Sequence, residues 1–368
     1  MSGADRLRVL MVCPELPSAA SPGSMAPAAR QFQSLRDLGV DVRVSDMGGI
    51  PKLKYLQAMP RIRRMARDVD LIHAHFGYCG WLARCAPSRP LVMSFMGDDL
   101  LGTPCNAAGD LEWFSRVMVW MNRRLAGRVD AVIVKSDEMA RVVTPVPSTV
   151  IPNGVDVEMF RPRKKEEVRH SLGWDSDDTY VLFPGDPANP RKGYQLASGT
   201  VEIASTALGK TVRLVPLWGV SPAEVSNYMC ACDAMLMTSL IEGSPNVVKE
   251  AMACNLPVVA VRVGDVAEML TGVEGYAVCE RDPSLLARML VKTLASGGEA
   301  HGRSALLRRG LDLTSVARRV IGVYERVLGR RIWVAEERRD DPGYTDGMDA
   351  IRSSGAIANR VLPTVMGD

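Results

Sequence analysis

The sequence has little net charge of either sign: 45 Lys and Arg against 42 Asp and Glu leave +3 over 368 residues. The two signs are interspersed and the net charge is small, so a nucleic-acid partner is not expected. Long hydrophobic runs are also missing. No apolar stretch approaches a membrane span, and Met1 to Arg8 is short and polar without an apolar signal region, so a cytoplasmic protein is expected. A disulfide framework is lacking too. The eight cysteines are irregularly spaced, several inside apolar runs such as Val12-Cys13-Pro14 and Ala253-Cys254-Asn255, and they read as reduced core thiols. Cys230 and Cys232 are too close together, with no second pair of ligands, to hold zinc.

What is present is a chain too long for one hydrophobic core, with 47% hydrophobic residues to build two. Strand-length apolar runs alternate with helix-length periodic segments from end to end, which is the pattern of α/β domains with parallel sheets. Strand candidates in the first half are Arg8 to Cys13, Val40 to Val44, Leu71 to His75, Leu91 to Phe95 and Ala131 to Lys135. Between the first two, Met25, Ala28, Phe32, Leu35 and Leu38 recur at helical spacing, and Gly39 stands where a terminating glycine belongs. The second half repeats the theme with Tyr180 to Pro184, Val212 to Leu217, Ala234 to Thr238, Val258 to Val261 and Tyr276 to Val278. The expected division is a first domain over 1–152, a second over 153–312, a helix over 313–330 and a polar tail over 331–368. The junction lies near Val150-Ile151-Pro152-Asn153-Gly154. Ligands of such sheets collect outside the carboxyl ends of the strands, so two domains face each other across a cleft.

The most informative stretch is Glu242-Gly243-Ser244-Pro245-Asn246-Val247-Val248-Lys249-Glu250, two carboxylates with seven residues between them. Ser244 suits a helix N-cap and Pro245 the first helical position, while Asn255 and Pro257 stop the helix before the next buried strand. A helix opening at Ser244 directs its free N–H groups and its dipole toward the space outside the preceding strand, a place for a phosphate. Carboxylates beside a phosphate are better matched to neutral hydroxyls. A phosphate flanked by polyols describes a sugar nucleotide.

This stretch, its continuation Ala251 to Ala260, and the later Gly264-Asp265-Val266-Ala267-Glu268 resemble the signature of retaining glycosyltransferase family 4. The resemblance implies a GT-B fold, two Rossmann-like doubly wound parallel-sheet domains facing a cleft. It implies that Glu242 meets the hydroxyls of the transferred sugar, that Gly243, Ser244, Pro245, Asn246 and Val247 meet the diphosphate, and that Glu250 holds the ribose. The turn Phe183 to Gly193 places Gly185 and the cations Arg191 and Lys192 where phosphate-binding groups commonly sit. Lys192-Gly193 matches one element of the family pattern, whereas Asp186 stands where an arginine is usual and Arg191 is the candidate to replace it.

On the first domain, Gly23 and Ser24 precede a helix and offer backbone to the sugar donor's phosphate, and His75 and Asp98 are acceptor-side candidates. Met96 stands where relatives commonly carry a histidine. No cofactor and no metal are expected, since the adjacent carboxylates of Asp98-Asp99 point in different directions. The implied reaction moves a hexose-type sugar from a nucleotide diphosphate sugar to a saccharide or lipid-linked acceptor in cell-envelope or exopolysaccharide biosynthesis. The alternatives are an enzyme of small soluble metabolites or natural products, and a non-catalytic nucleotide-sugar-binding subunit. The basic segment 52–67, interrupted by Pro60, reads either as a peripheral membrane contact or as the solvated face of a core helix. A carboxylate-to-hydroxyl bond contributes ~1.5 to 3 kcal/mol. Glu250→Ala is therefore expected to weaken nucleotide binding by roughly ten- to a hundred-fold in calorimetry, and Glu242→Ala to lower turnover more than binding.

Overall fold

The structure is a computed structural model that describes residues 6–18, 24–48, 54–86, 88–103, 106, 110–297 and 300–334. Gly23, residues 52–53 and the tail from 335 onward lie outside these. The first half runs β1 (Arg8–Cys13), α1 (Ala26–Asp37), β2 (Asp41–Asp46), α2 (Lys54–Met65), β3 (Leu71–His75), α3 (Gly77–Ala83), β4 (Leu91–Ser94), α4 (Asp98–Leu101), α5 (Trp113–Ala126), β5 (Ala131–Val134), α6 (Asp137–Val143) and β6 (Thr149–Val150). The second runs α7 (Lys165–Leu172), β7 (Thr179–Phe183), α8 (Tyr194–Leu208), β8 (Val212–Pro216), α9 (Pro222–Ala231), β9 (Ala234–Met237), α10 (Asn246–Ala253), β10 (Val258–Val261), α11 (Val266–Leu270), β11 (Tyr276–Cys279), α12 (Pro283–Ala295), α13 (Gly302–Arg308) and α14 (Leu313–Leu328).

Both sheets are parallel. Their strand orders are β2-β1-β3-β4-β5-β6 and β11-β10-β9-β7-β8. In each the order reverses beside the first strand, between β1 and β3 and between β7 and β9. Loops leaving those strands diverge there and open a crevice at their carboxyl ends. The strands read as continuous apolar runs because helices cover both faces. Within β1, Leu10 and Val12 join one core, with Met93, Val134 and Leu125, while Val9 and Met11 join the opposite one, with Phe32 and Ile133. This is the alternation of a pleated strand. The seven cysteines among the described residues are free thiols.

Two local expectations are corrected. Pro60 lies inside α2 rather than interrupting it. The proline is exposed, so the carbonyl it leaves without an amide partner is one turn back on the solvent side. In the second case, α10 opens later than its sequence suggests, for a reason that belongs to the site below. By contrast, Gly39 adopts φ 94 and Asn255 φ 54, the left-handed backbone that ends α1 and α10.

The chain crosses between the sheets twice, and the two crossings run together. Val155 N–H donates to the Leu311 carbonyl at 2.9 Å, and Leu313 N–H donates to the Val155 carbonyl at 3.1 Å. A Cβ on Gly154 would lie 2.9 Å from Leu313 Cα, so only glycine allows this approach. After the second crossing α14 packs under the first sheet, burying Val316, Val320 and Tyr324 against it. The Tyr324 hydroxyl shares a hydrogen bond with His73 Nδ1 at 2.6 Å, and His73 Nε2 another with Ser94 Oγ at 2.8 Å. Tyr324→Ala therefore empties a buried volume and orphans His73. Urea unfolding should show a loss of roughly 3–5 kcal/mol, whereas Tyr324→Phe should lose only about 1 kcal/mol.

Candidate active site

The loops leaving β7 and β9 are zipped together before either meets a ligand. Thr238 Oγ1 is shared between the carbonyls of Lys192 (2.9 Å) and Gly193 (3.0 Å), and Leu240 N–H donates to the Arg191 carbonyl at 2.8 Å. Gly193, at φ 70, lies directly on the Thr238 carbonyl, where no Cβ fits. The stem of Lys192 passes over Gly185, whose Cβ would meet Lys192 Cγ at 2.8 Å, and its ammonium reaches Glu242 Oε1 at 2.7 Å. Gly185, Lys192 and Glu242 thus form one unit at the crevice of the second sheet.

Ser244 does not cap α10. The helix begins at Asn246, with Pro245 at the N-cap position and no side-chain cap. The Ser244 hydroxyl is engaged elsewhere: the wholly buried Lys249 donates to it at 3.1 Å. Because no side chain caps the helix, its first N–H groups have no such partner. Burial pushes Lys249 down to about 8 and Asp265 up to about 6, each partly opposed by the other's charge.

The first sheet meets this site at β4 and α1. Gly97 and Gly243 approach backbone to backbone, a Cβ on Gly243 lying 3.4 Å from Gly97 Cα. Met96, where the family commonly has histidine, is half-buried beside them. The neighbouring aspartates do diverge. The buried Asp99 carboxylate accepts N–H bonds from Gly77 (3.1 Å), Met96 (2.9 Å) and Gly97 (3.0 Å), and burial still raises it to about 6. Asp98 turns outward and pairs with Arg191 at 2.7 Å. Of the two predicted cations, therefore, only Lys192 approaches the glutamates; Arg191 bridges to the other domain.

His75, an acceptor-side candidate, presents no surface in this structure. It is wholly buried, its ring centre 4.2 Å from that of His73 and tilted 33° to it, and edge-on at 5.0 Å to Phe32, with neither ring nitrogen hydrogen-bonded to a described residue. Burial, then the neighbouring His73 and Lys135, holds it neutral. Residues that sequence reasoning missed are Arg30, Lys135 and Lys249. Arg30, on α1, reaches Glu250 Oε1 at 2.8 Å and lies 5.5 Å from the centre of the Phe160 ring. Nothing in the spacing of α1 marked it, although Lys135 is the last residue of a strand candidate, at its carboxyl end.

Two family models match this chain: Glycosyltransferase Family 4 over residues 5–159 and Glycosyl transferases group 1 over residues 185–296. The chain belongs to the group 1, family 4 glycosyltransferases. It is 24% identical over 351 residues to TuaC of Bacillus subtilis (strain 168), whose name assigns it to teichuronic acid biosynthesis; the match covers 78% of this chain and 89% of that protein. It is 28% identical over 275 residues to D-inositol 3-phosphate glycosyltransferase of Mycobacterium marinum, covering 65% of this chain and 58% of that one. Among solved structures, sucrose-phosphate synthase from Thermosynechococcus elongatus superposes with a TM-score of 0.71 at 17% identity, covering 88% of this chain and 100% of its own. Anabaena HepE in complex with UDP-glucose does so with 0.65 at 18% identity, covering 87% and 100%. At such identities the structures speak for the fold alone, which is GT-B.

Two Asp-x-Asp triplets of this glycosyltransferase, Asp68 to Asp70 and Asp175 to Asp177, lie before β3 and β7. Those are the amino ends of the strands, remote from the cleft, and Asp70 is paired there with Arg8 at 3.2 Å.

Lys135 is wholly buried at the end of β5 and donates to the Ile151 carbonyl at 3.3 Å. Burial, then the charge of Lys249, lowers it from 10.5 to about 7. As pH falls from 10.5 toward 7 the unfolded chain takes up a proton that the folded one refuses, so this lysine destabilises the fold increasingly, and by a constant amount below about 7. Lys135→Met should therefore gain stability relative to wild type as the pH falls across that window. A difference independent of pH in chemical unfolding would contradict it.

Proposed function

We propose that this glycosyltransferase transfers a hexose-type sugar, with retention and without a metal, from a nucleotide diphosphate sugar to a saccharide or lipid-linked acceptor in cell-envelope or exopolysaccharide biosynthesis. The observation that carries the reading is the Lys192–Glu242 pair, 2.7 Å apart, beside the uncapped start of α10, with Glu250 one turn farther on. A cation and free amides suit the diphosphate, while two carboxylates suit the hydroxyls of sugar and ribose.

In this reading the diphosphate takes Lys192 and the amides of α10, and Glu242 exchanges an ammonium partner for sugar hydroxyls. Glu250 exchanges Arg30 for the ribose. The glycosidic bond from sugar to phosphate breaks with both electrons leaving on the phosphate oxygen. That phosphate oxygen takes the proton of the acceptor hydroxyl while the acceptor oxygen bonds to the anomeric carbon on the face the phosphate leaves. No protein nucleophile is needed; the chain positions both substrates and stabilises the departing charge. The name of TuaC favours a polysaccharide acceptor, and the name of the D-inositol 3-phosphate enzymes favours the second reading, a small soluble acceptor.

The test is thermal shift and calorimetry across a panel of nucleotide diphosphate sugars, with UDP-glucose first because it is the ligand named for HepE. One sugar donor should stabilise the wild type and fail to stabilise Glu250→Ala. If no member of the panel stabilises the wild type, the assignment of both glutamates fails.

A further inference from the structure

Four of the large apolar side chains that stand exposed among the described residues belong to one helix. On α5, Trp113 is 75% exposed, Phe114 58%, Trp120 55% and Val117 40%. Positions 113, 117, 120 and 124 follow one another along a single side of a helix, so the stripe runs Trp113, Val117, Trp120, Arg124. The opposite side, where Asn122, Leu125 and Ala126 are buried, is what holds α5 to the domain. An ordinary surface helix shows the reverse, polar side outward. The outward side is also basic. Arg116, Arg123 and Arg124 are exposed, Arg124 lies 3.9 Å from the centre of the Trp120 ring, and no acidic residue occurs between Trp113 and Ala126.

The neighbouring α2 continues the surface. It too contains no acidic residue, and its first turn presents Lys54, with Tyr55 39% and Leu56 66% exposed. Of its later arginines, Arg61 pairs with Ser45 and Asp46 and Arg63 with the Cys85 carbonyl, so the first turn and the exposed Arg64 are what α2 leaves free among the described residues. The helix α3 packs between the two, touching α2 through Tyr55 and Tyr78 and α5 through Gly77 and Asn122. All three begin beyond carboxyl ends of strands of the first sheet. Ser115, in the first turn of α5, accepts the Thr103 N–H at 2.9 Å and so ties that turn to α4, which carries Asp98. The aromatic end of α5 therefore lies at the acceptor-side rim of the cleft.

We propose that α5 and the first turn of α2 form a docking surface for an anionic lipid bilayer, Trp113, Phe114 and Trp120 entering the interface and the arginines meeting lipid phosphates. Tryptophan and arginine together fit a surface that is apolar beneath and negative above. Charge decides against a neutral apolar partner, since three guanidinium groups with no carboxylate partner among the described residues would have to be buried or displaced. The proposal does not rest on the sugar-donor assignment and is tested without turnover.

The full chain is centrifuged with vesicles of phosphatidylcholine alone and of phosphatidylcholine mixed with phosphatidylglycerol. Binding should require the anionic lipid and weaken with salt. The double variant Trp113→Ala with Trp120→Ala should partition roughly ten-fold or more weakly, and Arg123→Glu with Arg124→Glu about five-fold more weakly per arginine. All four side chains are exposed, so melting temperature and stabilisation by a sugar donor should be unchanged in both variants. The proposal is overturned if the wild type stays in solution with anionic vesicles, or if the variants bind as well as the wild type. It is equally overturned if sedimentation shows a dimer that the tryptophan variant abolishes, which would assign the surface to a second copy of the chain.

Discussion

Charge enclosed between two domains has to be matched or surrendered, and the site of this glycosyltransferase is organised by that requirement. Glu250 is matched by Arg30 from the other sheet, Glu242 by Lys192 from the next loop, and Asp98 by Arg191 across the cleft. Where burial outweighs the nearest opposite charge, the charged form itself becomes unfavourable, as for Lys135, Lys249 and Asp99. In the proposed reading binding is an exchange of partners rather than the filling of an empty slot, with phosphate for Lys192 and hydroxyls for Glu242 and Glu250.

The exchange is possible because both sheets reverse their strand order at the same relative position. The loops after β7 and β9, and those after β1 and β3, therefore leave the crevices that face each other. Gly97 and Gly243 let the two backbones come together with no side chain between them. Paired crossings at Val155 and Leu313, with α14 locked by Tyr324 to His73, connect the halves on the far side of that contact. The first domain adds the exposed aromatic and basic side of α5 at the rim of the same cleft.

Much of this was legible from residue order. Every one of the ten strand candidates coincides with a strand to within two residues, because a strand covered on both faces must be apolar throughout and bounded by turn residues. Asp98 and Asp99 diverge as adjacency suggests, though at the start of the helix α4 rather than in the extended segment expected, and the placement of Glu242 and Glu250 around the mouth of α10 followed from their spacing. The Ser244 cap did not follow, since a serine that can cap a helix can also accept from a buried lysine, and burial of Lys249 leaves it no water to use instead.

Periodicity, turn chemistry and capping act over a few residues, and on those terms the sequence by itself determined the α/β class, the two parallel sheets and the segment that forms the mouth of the site. Which groups meet there was decided by tertiary structure. Arg30 and Glu250 are 220 positions apart, and Arg191 and Asp98 are 93 apart. No local rule ranks such partners, because an ion pair is chosen by where the fold removes water from both charges. The same holds for His75, which a strand end could have presented to solvent and which packing instead enclosed between His73 and Phe32.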